Sequence, residues 1–210
     1  MTRTKIVSIA LLAFAATVAR AQETTRVTVS PDSKLWIEGT SNLHDWACRT
    51  QDLNATVELD VATAAQFTVA PPKALKRVQV KVPVKSLKCG HGAMDNNLYK
   101  ALSDDAAPEI SYIMATFEAI SGETSDSFSL KTIGTLTVAG KEQNITMEVV
   151  ATRLADGTVH ATGMVPVKMT AFGIKPPTAI FGRVKTGDEV KVKFELSIGP
   201  KAIAAATTDR

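Results

Sequence analysis

Two cysteines and three histidines are the side chains best suited to chemistry in this 210-residue chain. His44 stands four residues before Cys48, and His91 two residues after Cys89. Two thiolates and two imidazoles could form a tetrahedral zinc set or a redox site. Zinc fingers and knuckles, however, usually pair cysteines about two to four residues apart, and these two are widely separated. The other chemistry open to them is a disulfide, closing a loop of about 40 residues and worth about 4 kcal/mol in the chain-entropy model. It would also bring His44 and His91 together. A catalytic thiol served by His44 and Asp45 would need that bond open, because the nucleophile must be a free thiolate of low pKa.

Other reactive patterns are scarce. His160 falls on an outward position of a predicted strand, in solvent. Asp104-Asp105 precedes Pro108 in a turn, where Asp side chains ordinarily bond the backbone. Gly-x-Ser-x-Gly, a phosphate-binding glycine loop and a dinucleotide fingerprint are absent from the sequence. The expectation is a protein that is not an enzyme and carries no resident metal.

The N-terminus bears on which cysteine chemistry applies. Arg3 and Lys5 precede an apolar run, Ile6 to Val18, and Ala19-Arg20-Ala21 supplies a small-x-small cleavage pattern. This reads as a secretory signal peptide over residues 1–21. The run is shorter than the ~20 apolar residues a spanning helix needs. No cysteine at the junction offers a lipoprotein anchor, and no later stretch is apolar enough to cross a bilayer. Export to the periplasm, or secretion, follows, and an oxidising compartment favours the Cys48–Cys89 disulfide.

Removing that segment also removes Arg3, Lys5 and Arg20, leaving 21 basic against 21 acidic residues. A balanced surface gives no electrostatic footprint for nucleic acid and no strong overall pull toward anionic membranes.

The elements that must position these groups are strands. Leu53, Ala55, Val57, Leu59 and Val61 alternate with polar residues. So do Val78, Val80, Val82 and Val84, and Val190, Val192, Phe194 and Leu196. Each pattern puts one apolar face on a strand. Ala139-Gly140 and Asp156-Gly157 punctuate hairpins among Thr135–Val138, Ile145–Ala151 and Val159–Val165. Further strands are expected at Arg26–Val29, Leu35–Gly39 and Ile110–Ile120. One segment differs: Met94, Leu98 and Leu102 recur at helical spacing within Ala93–Leu102. The fold class expected is all-β, an antiparallel up-and-down, lipocalin-like barrel of about eight strands with a short helix covering one end. It would be one domain over residues 22–200, with a disordered tail at 201–210. A barrel of this size either fills with side chains or holds one small ligand.

Read together, these segments resemble the YceI-like family. Ser33-Lys34-Leu35-Trp36-Ile37-Glu38-Gly39 with His44 is similar to its first strand. Met94-Asp95-Asn96-Asn97-Leu98 and Pro108-Glu109-Ile110-Ser111-Tyr112 resemble its helix and the strand after it. Gly134 to Gly140 with Ile145-Thr146-Met147 resembles its central hairpin, and Phe172-Gly173 with Gly187-Asp188-Glu189-Val190 its closing loop and last strand. Lys168-Met169-Thr170-Ala171 stands where the family often has an arginine, and the cysteine pair is not a general family feature. The resemblance implies an exported lipocalin-like barrel whose partner is an apolar small molecule: an isoprenoid, an isoprenoid quinone or a fatty acid. The expected wall or lid comprises Trp46, Leu98, Tyr99, Leu102, Phe172 and Phe181. The alternatives are a ligand-free structural or stress-response barrel, and a metal or redox site at His44, Cys48, Cys89 and His91.

Overall fold

The structure, a computed structural model, describes residues 24–60, 75–103, 105–120, 126–179 and 181–199. The signal-peptide segment, Asp104 and the 201–210 tail lie outside the described residues.

Eleven strands form one antiparallel sheet. They are β1 (Thr24–Thr28), β2 (Lys34–Ser41), β3 (Trp46–Thr50), β4 (Asn54–Asp60), β5 (Leu75–Pro83), β6 (Glu109–Ile120), β7 (Ser127–Val138), β8 (Lys141–Arg153), β9 (Val159–Lys168), β10 (Thr178–Ala179) and β11 (Val184–Ile198). A single α-helix, α1 (Gly92–Ala101), and 3-10 turns at Val84–Ser86 and Met169–Phe172 complete the described fold. The all-β, lipocalin-like class expected from the alternation is the class observed.

The neighbour order is β1-β4-β5-β6-β7-β8-β9-β11-β2-β3, with β10 beside β11. From β4 to β9 the sheet runs up and down. The β2–β3 hairpin instead lies beyond β11, so the chain passes from one sheet edge to the other between β1 and β2. That crossing is fastened at Ser197 of β11. Its carbonyl accepts from Ser30 N–H at 2.7 Å, and its N–H donates to the buried Ser33 Oγ at 3.0 Å.

The curl leaves a seam beside β3, because no ladder joins β1 to β3 among the described residues. The segment after β5 bridges it. Arg49 and Lys88 exchange two backbone hydrogen bonds of 2.8 and 2.9 Å. Thr50 Oγ1 donates to Ser86 Oγ at 2.8 Å, and Cys48 and Cys89 form a disulfide. The disulfide therefore reinforces a clasp on an edge strand that no second strand ladder covers among the described residues, the part of a sheet that most needs covering.

Burial follows the pleat. Along β7, Phe128, Leu130, Thr132, Gly134, Leu136 and Val138 are the inward, buried positions. On β2, Leu35, Ile37 and Gly39 share the inner face, while outward Trp36 donates to Glu38. Glu38 also pairs with Lys193 at 2.7 Å, and that ammonium holds its carboxyl below the usual carboxylate range.

Candidate functional site

The inner faces of the strands converge on a cavity of about 520 Å3, within the 300–1,000 Å3 span typical of small-molecule sites. Val78, Val80 and Val82 of β5, Leu136 and Val138 of β7, and Val190, Val192 and Phe194 of β11 form much of its wall. No Asp, Glu, Lys or Arg is among the described residues lining it. An ion placed there would lose its water without a compensating charge, so the interior selects uncharged, apolar matter.

Three aromatic–glycine pairs keep the lumen open. The Phe194 ring lies against Gly163, its register partner on β9. Trp46 lies against Gly39, its partner on β2. Tyr112 of β6 covers Gly134 of β7. At each glycine a Cβ would collide with the ring. The missing side chain lets the ring fold back against the wall instead of pointing down the axis.

The wall carries one polar relay. Tyr112 Oη donates to Thr132 Oγ1 at 3.3 Å, and Thr132 Oγ1 donates to the Met147 carbonyl at 3.3 Å. Burial pushes the Tyr112 phenol pKa up, since desolvation disfavours the phenolate. The group is thus a neutral hydroxyl facing an apolar space.

The cover is built by α1 and the Met169–Phe172 turn. Met94, Asn97, Leu98, Ala101 and Leu102 face the cavity, the spacing of one helical face. His91 caps the helix, its Nδ1 accepting from Ala93 N–H at 3.3 Å. Asp95 Oδ1 accepts from Cys89 N–H at 2.7 Å, tying the helix to the disulfide. Tyr99 points the other way. Its hydroxyl sits 2.9 and 3.0 Å from the Leu87 and Lys85 carbonyls and accepts from Lys88 Nζ at 2.6 Å. That hydrogen bond raises the Lys88 pKa. The second piece of cover is held by Asp188, whose carboxylate accepts from Thr170 N–H at 2.9 Å and Thr170 Oγ1 at 2.7 Å. Those two bonds hold the Asp188 pKa below its ordinary value. Gly173, at φ 72°, ends the turn in a left-handed conformation that suits glycine.

Of the residues singled out in the sequence, Trp46, Leu98, Leu102 and Phe172 line the cavity. Tyr99 fastens the helix from outside, and Phe181 is 107% exposed. Cys48 and Cys89 reach the cavity wall as a disulfide, with no free cysteine among the described residues. His44 lies at the cavity mouth, its Nδ1 2.8 Å from the Asp45 carbonyl. No group of three or more His, Cys, Asp or Glu side chains among the described residues is placed to hold a metal ion. His160, expected in solvent, is half-buried, with Nε2 3.0 Å from Ser197 Oγ. Sequence reasoning missed the Tyr112–Thr132 relay and the three glycine pairs. The signal for each was an inward glycine or threonine in an otherwise apolar strand face.

Lining residues that are also exposed mark the opening: Leu43 and His44 in the β2–β3 turn, Asn97 on α1, and Thr178 and Ala179 of β10. Among the described residues no helix is long and apolar enough to cross a membrane.

Several solved structures share this architecture. Burkholderia cenocepacia BcnA superposes with a TM-score of 0.63 at 20% identity, over 80% of this chain and 98% of its own. A polyisoprenoid binding domain from Saccharophagus degradans, implicated in plant cell wall breakdown, gives 0.59 at 13% identity, over 84% and 99%. The Campylobacter jejuni YCEI protein gives 0.53 at 18% identity, over 71% and 82%. No curated protein matches the chain. The YceI-like domain model matches residues 19–198. With that match spanning most of its length, on a curled antiparallel sheet around an uncharged cavity, the chain belongs to the YceI-like domain family.

Proposed function

We propose that this is an exported binding protein, not an enzyme, holding an apolar chain-like ligand in the barrel: an isoprenoid, an isoprenoid quinone or a fatty acid. The observation that carries this reading is the continuous, uncharged cavity of about 520 Å3 beneath α1. The description of the Saccharophagus degradans relative as polyisoprenoid binding supports the same class. Export, to the periplasm or beyond, rests on the 1–21 segment and accords with a disulfide between Cys48 and Cys89.

Binding would be driven by burial, about 0.8 kcal/mol for each methylene removed from water. About ten methylenes give roughly 8 kcal/mol before association costs of several kcal/mol. Long chains are therefore bound and short ones are not. Neutral polar groups at the mouth and the Tyr112 hydroxyl can orient a head group or a mid-chain oxygen. The ligand-free alternative needs bulky side chains along the axis, whereas Phe194, Trp46 and Tyr112 lie back over glycines.

Native mass spectrometry of the protein purified from its own host tests the reading. The expected spectrum contains a bound apolar species, or an added mass after offering isoprenoids or fatty acids. Repeated recovery of empty protein with no uptake would overturn it.

A further inference from the structure

A ligand that prefers the cavity to water has no soluble pool from which to load, and the rim of the mouth has an uncommon composition. Strand β10 and the start of β11 form a short hairpin, Thr178 facing Lys185 and Ala179 facing Val184. Its base lines the cavity. Its tip carries Phe181, 107% exposed with φ 51°, followed by Gly182 at φ 82°, whose N–H donates to the Ala179 carbonyl at 3.1 Å. The left-handed backbone turns the phenylalanine outward, at a position where a β-carbon is disfavoured.

The β2–β3 turn is fastened alongside. Asn42 N–H donates to the Lys185 carbonyl at 3.1 Å, Asn42 Nδ2 to the Arg183 carbonyl at 2.9 Å, and Lys185 N–H returns to Asn42 Oδ1 at 2.8 Å. This places Leu43, 65% exposed and itself part of the cavity lining, beside the hairpin. Between Phe172 and Gly187 the sequence has Lys175, Arg183 and Lys185 and no acid. All three cations are exposed. The nearby acids are Asp45 in the neighbouring turn and, farther along β11, Asp188, engaged with Thr170, and Glu189. A region whose surroundings balance in charge thus concentrates cations and exposed apolar side chains at the entrance.

We propose that this mouth docks on an anionic phospholipid surface, with Phe181 and Leu43 inserted among the acyl chains and Lys175, Arg183 and Lys185 at the phosphates, so that an apolar chain passes directly between bilayer and cavity. The proposal rests on the apolar-ligand reading above. Apolar anchors with cations beside them are the composition that holds peripheral proteins on such surfaces. Continuity between Leu43 and the lumen gives the ligand a path that avoids water.

Flotation with vesicles of phosphatidylcholine alone, and with about one third phosphatidylglycerol, provides the test, because the charged lipid supplies the surface potential. The full protein is expected to float with the charged vesicles and not the neutral ones, and binding should fall as salt screens the cations. L43S/F181S and K175Q/R183Q/K185Q should each bind at least about tenfold more weakly, as expected for removed apolar burial or surface cations. M164S, altering an exposed methionine on the barrel wall, should bind like the parent. Uptake of a fluorescent long-chain fatty acid offered from solution is measured in parallel and should survive in K175Q/R183Q/K185Q and M164S, whose substituted residues do not line the cavity. Uptake without vesicle binding, or vesicle binding untouched by both rim variants, would overturn the docking proposal alone. A solution dimer abolished by F181S, with no vesicle binding, would overturn it in favour of a second copy of this chain on the same rim. Loss of uptake in the parent protein would instead count against the cavity reading.

Discussion

The Phe194 ring lies across Gly163, its direct register partner between β11 and β9. The contact has the geometry in which an aromatic ring shields the bare backbone of a cross-strand glycine. Gly163→Ala should push the ring toward the lumen and destabilise the fold by about 1–3 kcal/mol, as overpacked cores do. In a Phe194→Leu background the same change should cost markedly less, because its collision partner is smaller. Urea denaturation of the four proteins measures the coupling. Equal costs in both backgrounds would mean that the ring does not depend on the glycine.

The second prediction concerns the clasp. The Cys48–Cys89 bond spans 41 residues, and the chain-entropy model assigns such a loop about 4 kcal/mol. Typical domains have about 5–15 kcal/mol in total. Reduction, or Cys48→Ser/Cys89→Ser, should therefore lower the urea midpoint strongly while leaving a folded protein at 25 °C. Thiol titration should find no reactive cysteine before reduction and two afterwards. An unchanged midpoint would mean that the backbone bonds between Arg49 and Lys88 hold the seam unaided.

The features legible in the sequence were those set by local periodicity. The valines of β5 and the Val190–Leu196 alternation gave both the strands and their inward faces. Met94, Leu98 and Leu102 gave α1 to within a residue at each end. The features missed depend on partners distant in the chain. Strand β7 was read only from Thr135, because Thr132 and Gly134 interrupt its apolar alternation. Both make sense only beneath Tyr112, twenty residues away from Thr132. The five residues of β3 alternate Trp46, Cys48 and Thr50 inward, but two of those three are not strong apolar signals. Phe172 and Phe181 were both expected in the wall or lid. Phe172 and Ile174 are buried, whereas the tight turn at Phe181–Gly182 sends Phe181 outward.

The third prediction is acid sensitivity of the cover. Hydrogen bonds from Thr170 hold the Asp188 pKa below the ordinary aspartate value. A carboxyl with a depressed folded pKa contributes stability above its unfolded pKa and loses it as pH falls through the folded value. Asp188→Asn should thus lower the melting temperature at neutral pH. The gap should narrow below about pH 4, the ordinary aspartate value, and vanish once Asp188 is protonated in both states. Melting curves between pH 2 and pH 7 give the comparison. A gap that is constant with pH would assign the effect to lost geometry instead of lost charge.

The final prediction separates the cavity from the rest of the surface. Ala161 lines the lumen from β9, next to Ala151 across the β8–β9 ladder. Both are small and line the cavity beside Phe128, Leu130 and Val159. Ala161→Phe directs a ring into the cavity. Burying the added apolar surface offsets part of the strain of insertion, so stability should change by less than the ~1–3 kcal/mol of an overpacked core. The ring occupies volume the ligand needs, and uptake of a fluorescent long-chain fatty acid should fall at least about tenfold, the equivalent of two displaced methylenes. Thr146→Phe, which adds the same ring at an exposed position on β8, controls for nonspecific stickiness and should bind as the parent does. Equal affinity in Ala161→Phe and the parent, with both folded, would place the bound chain outside the barrel.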